Sequence, residues 1–501
     1  MKAQDETLKP KTSPRRRTLS TKASKRMLIG FTTGALLFAA FTILAMYIID
    51  PLQFYRKATL YDPIFSNEQR YQNPGLARNY DYDTVILGTS MTENFLPSVV
   101  DKELGGKTIK LSIRGSYAEE QYDIAQVAFR TGKVKQVLWG IDYFALKPAN
   151  LDAQGPYPHY LYDDNFLNDY KYWFNVTPYQ ELAKGIYKRM TASENGKRLM
   201  GLEYLYNWNY YVVYGKQYAM KFYKKALSEE VRVGMNEEPL EVVQKNFTDY
   251  IEPLIKEHPE IEFKFYYPPY SILRQAVWRD LNVARYEQQL TMKKWMFEKF
   301  KQYPNVKVYD FQTEAEWTFN LNLFKDLSHH NQNVNTWIAR AVGQDDPKYR
   351  VTEDNVDSFV DDLRQQVEDV AVTGAGDLLR VPVRFASAPD KAVTFTQKEL
   401  RGPDKLLFVP SKEAAAVLGA ELVWDQATKT MTVTRDAHEI VLTVGSMEAK
   451  IDGKAVDVPY PVELIGGKTI VPLAFMASAL GWEVKQEEPD QVTKRITLIQ
   501  P

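Results

Sequence analysis

The chain has 501 residues, 45% of them hydrophobic and 25% charged, with 63 Lys and Arg against 64 Asp and Glu. That balance fits a folded chain of several domains and excludes a disordered, collagen-like or coiled-coil protein, as well as one drawn to nucleic acid by a global basic excess. Cysteine is absent, which excludes disulfides, thiolate nucleophiles and cysteine metal sites, and the five histidines (His159, His258, His329, His330 and His438) are the only imidazoles open to a mechanism.

Residues 1–26 carry nine basic and two acidic side chains, and Met27 to Ile49 then runs 23 residues without a charge. At about 1.5 Å per residue this run predicts a helix of roughly 34 Å, enough for a hydrocarbon core of about 30 Å. It is too long, and ends in residues too large, for a cleaved signal peptide. The basic tail is therefore expected in the cytoplasm, and residues 50–501 outside a single-pass cell membrane anchor. Residues 50–80, rich in Tyr, Pro and Asn, read as a stalk.

From about residue 81 short apolar runs alternate with longer amphipathic ones. Thr84–Leu87, Lys107–Ile113, Val134–Ile141, Phe263–Tyr267 and Val306–Tyr309 are the expected strands. Tyr117–Arg130, Leu240–Glu257 and Trp278–Tyr303 are the expected helices. Apolar strands joined by crossover helices predict the α/β class, with a parallel sheet covered on both faces across residues 81–372. Residues 143–240 interrupt it as an insertion dense in Tyr and Trp, suited to a helical subdomain, to stacking on sugar rings or to a bilayer interface. Residues 373–404, opening on Thr373-Gly374-Ala375-Gly376, read as a linker.

Residues 405–501 hold an internal repeat. Phe408-Val409-Pro410 leads to Leu418-Gly419-Ala420-Glu421, and 62 residues later Ile470-Val471-Pro472 leads to Leu480-Gly481-Trp482-Glu483. Each unit reads as strand, short helix and strand, predicting an antiparallel α+β domain. Gly467-Lys468-Thr469 lacks the first glycine of a phosphate loop, because Val462 stands there, so it reads as a hairpin turn. Through Val409-Pro410, Leu418-Gly419-Ala420-Glu421, Trp424-Asp425, Thr428-Lys429-Thr430 and Ile451-Asp452-Gly453-Lys454, this part resembles the copper amine oxidase N-terminal-like domain. The resemblance implies an envelope-associated binding module. With one histidine and no cysteine in it, no copper site is expected.

Two short stretches carry candidate chemistry. Gly88-Thr89-Ser90 follows the first strand, where a serine hydroxyl would stand above the carboxyl end of the sheet. Asp326-Leu327-Ser328-His329 follows the last strand, where a carboxylate three residues before an imidazole can fix its tautomer while the other ring nitrogen faces a serine. His330 competes for the base role but has no such acidic partner. His159 reads as a surface or stacking residue, and His258 as a cation at a helix end.

In this order and on this sheet, the pieces resemble the SGNH/GDSL hydrolase superfamily, and within it the membrane-anchored members related to the D-alanyl-lipoteichoic acid protein DltD and to polysaccharide O-acetylation proteins. The resemblance implies a three-layer α/β sandwich with Ser90 as nucleophile, His329 as base and Asp326 as its partner. Gly115 matches the glycine that supplies an oxyanion N–H. Gly140-Ile141-Asp142 stands where the family has Gly-x-Asn, so Asp142 replaces an amide donor by a carboxyl, and losing such a donor costs about 10²–10³ in rate. The implied activity is an extracytoplasmic esterase or O-acyltransferase on a cell-envelope polymer such as a cell-wall polysaccharide or teichoic acid, with a membrane acyltransferase as possible partner. No cofactor, metal or nucleic acid enters it. The alternative is a non-catalytic envelope-binding or scaffold protein, which Asp142 motivates.

Overall fold

The computed structural model describes residues 21–59, 61–148, 151, 156–228, 239–374 and 376–500. Its first element is the helix Thr21–Ile49, long and apolar enough to cross a membrane and with its apolar window unburied by the rest of the chain. The basic tail lies outside the described residues up to residue 20.

Five parallel strands form the central sheet: β1 (Thr84–Leu87), β2 (Thr108–Lys110), β3 (Gln136–Gly140), β4 (Glu262–Tyr267) and β5 (Val306–Asp310), in the order β2-β1-β3-β4-β5. Alternate side chains serve different cores, as the twofold side-chain period of a strand requires. Val85, Leu87, Val137, Trp139 and Phe265 pack with Leu76, Ile124, Phe247 and Phe297. Ile86, Leu138, Tyr266 and Tyr309 pack with Val100, Val334 and Ile338 from helices Pro97–Leu104 and Gln332–Gly343. A sheet buried on both faces has apolar strands throughout, and β1 is buried at all four positions.

Two expected helices are each broken in two. Asn282 leaves helical geometry between Ile272–Leu281 and Val283–Phe300, and its side chain accepts the Arg285 N–H, capping the second helix. Leu240–Tyr250 gives way to Glu252–Glu257, whose first turn holds Pro253, a residue suited to a helix start and not to its middle. Within 143–240 the described residues form short helices, the longest being Val176–Thr191 and Lys216–Ser228.

Residues 50–80 are not a free stalk. Leu52, Gln53, Phe54 and most of the helix Gln69–Asn79 are buried, and Leu52, Phe54, Leu76 and Ala77 belong to the same core as the sheet. Polar residues misled the sequence reading: Gln72 reaches the Leu52 carbonyl and the Ser66 N–H, and Asn73 reaches the Leu111 and Ser112 carbonyls, so these amides satisfy buried backbone.

Residues 373–404 are likewise not a linker. Leu378–Arg380, Val383–Phe385, Ala388–Val393 and Glu399–Arg401 are strands, and Val381, Val383 and Leu400 join the distal core. Glu399–Arg401 lies between Leu406–Pro410 and Val370–Thr373 in a six-stranded sheet. The Gly-containing turn at 374–376 connects two strands of that sheet, with Ala375 outside the described residues. The two repeat units meet strand to strand, Val409 opposite Val471. Their short helices Ser411–Val417 and Leu473–Ala479 follow at once. Gly466 and Gly467, at φ +57° and +78°, turn the hairpin that pairs Ile465 with Lys468.

Candidate active site

The carboxyl end of β1 leads into Gly88, at φ +135°, where a Cβ would stand 2.8 Å from the Gly140 carbonyl oxygen and 2.7 Å from Thr92 Cγ2. Only glycine fits that conformation and that space. The next side chain, Thr89, accepts the Met91 N–H and starts a single 3-10 turn, Ser90–Thr92, that lifts the Ser90 hydroxyl off the sheet.

The opposing loop is built by Asp326. Its Oδ1 accepts the backbone N–H groups of Ser328 (2.8 Å) and His329 (2.9 Å), closing a tight turn in which the Lys325 N–H donates to the His329 carbonyl. The Leu327 carbonyl accepts both the N–H and the hydroxyl of Ser271, fixing the loop to the segment after β4. Asn335 donates to the Met91 carbonyl and ties the helix after the loop to the serine turn.

These two turns bring together residues 239 apart in sequence. His329 Nε2 lies 2.8 Å from Ser90 Oγ, and His329 Nδ1 lies 2.9 Å from Asp326 Oδ2. Burial on its own would raise the Asp326 carboxyl, but the hydrogen bond and charge of His329, with the His329 and Ser328 N–H groups, hold it well below the usual carboxylate range. When the imidazole is neutral, an ionised Asp326 fixes its proton on Nδ1 and leaves Nε2 free to accept from the serine. The indole of Trp208 meets the His329 ring edge to face, with centroids 5.7 Å apart, and Lys325 Nζ sits 4.0 Å over that indole.

The triad opens into a cavity of about 520 Å³ that Gly115, Asp142, Tyr270, Arg274 and Arg285 also line. Gly115, at φ +60°, borders it in the turn after β2. Asp142 is buried and turned onto two hydroxyls: Oδ2 accepts from Thr89 and Oδ1 from Tyr270. Burial raises its carboxyl more than these hydrogen bonds lower it, favouring the neutral form. An ionised carboxylate here would repel an oxyanion, and the raised carboxyl reduces that repulsion, although both oxygens are already engaged.

The sequence did not single out Arg274, Arg285 or Trp208, because each sits in a stretch that reads as an ordinary amphipathic helix or as part of the aromatic insertion. Arg274 donates from Nε to Ser328 Oγ at 3.0 Å, and the Arg285 guanidinium stacks 4.6 Å over Trp278. Among the described residues neither is in an ion pair with a carboxylate. Burial lowers the pKa of both.

The other histidines stand apart from this chemistry. His330 is buried, with Nδ1 3.2 Å from the Asn331 carbonyl, and burial pushes it down to about 4. His159 packs edge to face on Tyr157, and His258, after the helix Glu252–Glu257, pairs with Glu260.

Residues 389–494 match the family model of the copper amine oxidase N-terminal domain, beginning inside the stretch that the sequence presents as a linker. The donor set there does not fit copper. His438 is its one imidazole and faces Asp452, and no group of three or more His, Asp or Glu able to hold a metal occurs among the described residues. No curated protein matches the chain. Among solved structures, a protein described as a proposed platelet activating factor from Streptococcus pneumonia aligns at 11% identity and a TM-score of 0.30, covering 57% of this chain and 92% of that one. A likeness that low adds nothing to the argument from the site.

Proposed function

We propose that this protein is a membrane-anchored, extracytoplasmic esterase or O-acyltransferase of SGNH-like three-layer architecture, acting on a cell-envelope polymer. The observation that supports it above all others is the unbroken relay from Asp326 through His329 to Ser90, at 2.9 and 2.8 Å. In this reading Ser90 Oγ attacks the acyl carbon as His329 Nε2 takes its proton. Asp326 stabilises the imidazolium that forms. The backbone N–H groups of Ser90 and Gly115 receive the oxyanion. His329 then returns the proton to the leaving alkoxide, giving an alcohol and the acyl-Ser90 ester. Water or a sugar hydroxyl, deprotonated by His329, resolves that ester and restores the serine.

Arg274 and Arg285 in the cavity favour an ester carried on an anionic polymer, such as a teichoic acid, over a neutral glycan. The domain matched over 389–494 would hold the envelope, and a membrane acyltransferase would be a natural donor for the transfer reaction. Asp142, whose two oxygens are taken by hydroxyls where an amide would donate to an oxyanion, is the one observation that favours the alternative, a scaffold with little activity. The detergent-solubilised full chain decides between them. Hydrolysis of a chromogenic acetyl ester that disappears in Ser90→Ala supports the enzyme, and hydrolysis that is absent, or unchanged in that variant, refutes it.

A further inference from the structure

The joint between the apolar helix and the rest of the chain is rigid. Asp50, directly after Ile49, is buried and its carboxylate accepts the backbone N–H groups of Phe54, Tyr55 and Arg56 at 2.8–3.1 Å and the Tyr172 hydroxyl at 2.9 Å. The last helical carbonyls are also taken: Arg56 donates to Ile48 and Tyr61 to Ile49. Met46, one turn before the helix end, is only 1% exposed. An uncharged run of 23 residues spans about 34 Å, slightly more than a hydrocarbon core of about 30 Å. A domain that grips the helix at Met46 therefore has no room to stand away from the bilayer.

Beside this joint lies a group of apolar side chains with no cover among the described residues. The one-turn helix Tyr170–Trp173 packs against the end of the apolar helix, held by Tyr172 to Asp50, by Asp169 to Tyr55 (3.1 Å) and by Trp173 to Tyr55 (2.8 Å). Around it Phe166 is 75% exposed and Leu167 70%, while Tyr170, Phe174 and Val176 are also exposed. Large apolar side chains this close together usually mark an interaction surface. Their mixture of Phe, Leu and Tyr is the composition found where protein meets lipid headgroups.

We infer that residues 166–176 form a second membrane contact, which seats the domain directly on the outer leaflet by inserting Phe166, Leu167, Tyr170 and Phe174 beside the point where the apolar helix emerges. This rests on reading Thr21–Ile49 as a spanning helix. The partner is the lipid surface, because the ledge flanks the end of the segment that itself enters lipid. Two attachments instead of one fix the tilt of the domain, so that the Ser90 cavity keeps a set height above the membrane. With the rigid joint alone, the domain would still swing as the helix tilts in the bilayer.

The absence of cysteine makes the test direct. Single variants Leu167→Cys, Phe38→Cys and Leu464→Cys of the full chain carry an environment-sensitive fluorophore and are reconstituted into phosphatidylcholine–phosphatidylglycerol vesicles with spin-labelled lipids. Phe38 lies in the apolar helix, and Leu464 is an exposed residue of the distal domain. The label at 167 should be quenched at least about threefold more than that at 464, and more by shallow than by deep spin labels, as for side chains about 5–10 Å into the interface. Phe174→Cys repeats the measurement should Leu167→Cys fail to fold. Quenching at 38 with labels at 167 and 174 as unquenched as at 464 overturns the seat alone. No quenching at 38 overturns the spanning helix, and the seat with it.

Discussion

Replacing Asp326 by Asn isolates the tautomer argument from the packing of the site. The two residues have the same shape, so Asn Oδ1 can keep the backbone N–H groups of Ser328 and His329 that now bond at 2.8 and 2.9 Å, and the turn survives. The second atom changes from the oxygen that accepts His329 Nδ1–H at 2.9 Å to an NH₂ that can only donate. That NH₂ is satisfied only by an unprotonated Nδ1, which draws the His329 proton to Nε2, 2.8 Å from Ser90 Oγ, where it can no longer accept from the serine; the one acceptor left to Nδ1–H is Oδ1, farther off at 3.1 Å and already holding two N–H groups. In a Ser-His-Asp site this substitution costs about 10⁴ in kcat, or about 5.5 kcal/mol of transition-state stabilisation. The assay is acetyl-ester hydrolysis by the full chain, with the thermal midpoint recorded in parallel. Asp326→Asn should lose about four orders of magnitude in kcat with little change in KM or melting. A variant that keeps its activity within tenfold would refute the role given to Asp326.

Asp142→Asn should raise kcat by about tenfold or more, because an amide can accept from Thr89 or Tyr270 and still donate into the cavity. The gain should widen as pH rises and the native carboxyl ionises; a pH-independent loss would contradict this reading. Arg285→Gln should cut kcat/KM for an acetyl ester bearing a phosphate by at least about tenfold relative to a neutral acetyl ester, the scale of one charge-assisted hydrogen bond, and an unchanged ratio would remove the anionic polymer from the proposal. His330 titrates at about 4 when folded against an ordinary value of 6.5, so the unfolded chain binds the proton first as pH falls. Stability is lost between about pH 6.5 and 4, by about 3 kcal/mol at 1.36 kcal/mol per unit, and His330→Asn should flatten the drop in thermal midpoint across that window.

The strands of the central sheet were legible because a strand buried on both faces is a run of apolar residues, as Thr84–Leu87 and Phe263–Tyr267 are, bounded by turns. Ser90 was legible for a related reason, since it stands just past an apolar run where a side chain clears the edge of the sheet, and His329 because Asp326 precedes it by three residues. Segments whose polar residues face inward were misread. Gln72 and Asn73 look like surface residues of a stalk, yet serve buried carbonyls. The strands at 378–401 are short, and the exposed Pro389, Asp390 and Lys391 give them the composition of a linker. Arg274 and Arg285 carry no sequence signal, since an arginine on a helix is usually solvated, and only the folded arrangement turns these two toward Ser90.

The most direct test of a reactive serine at this site is covalent. The full chain treated with a fluorophosphonate should gain one adduct, mapped by peptide mass to Ser90, that is lost in His329→Ala, as activation by the imidazole requires. An adduct on another residue, or none on a chain that melts cooperatively, would contradict the account.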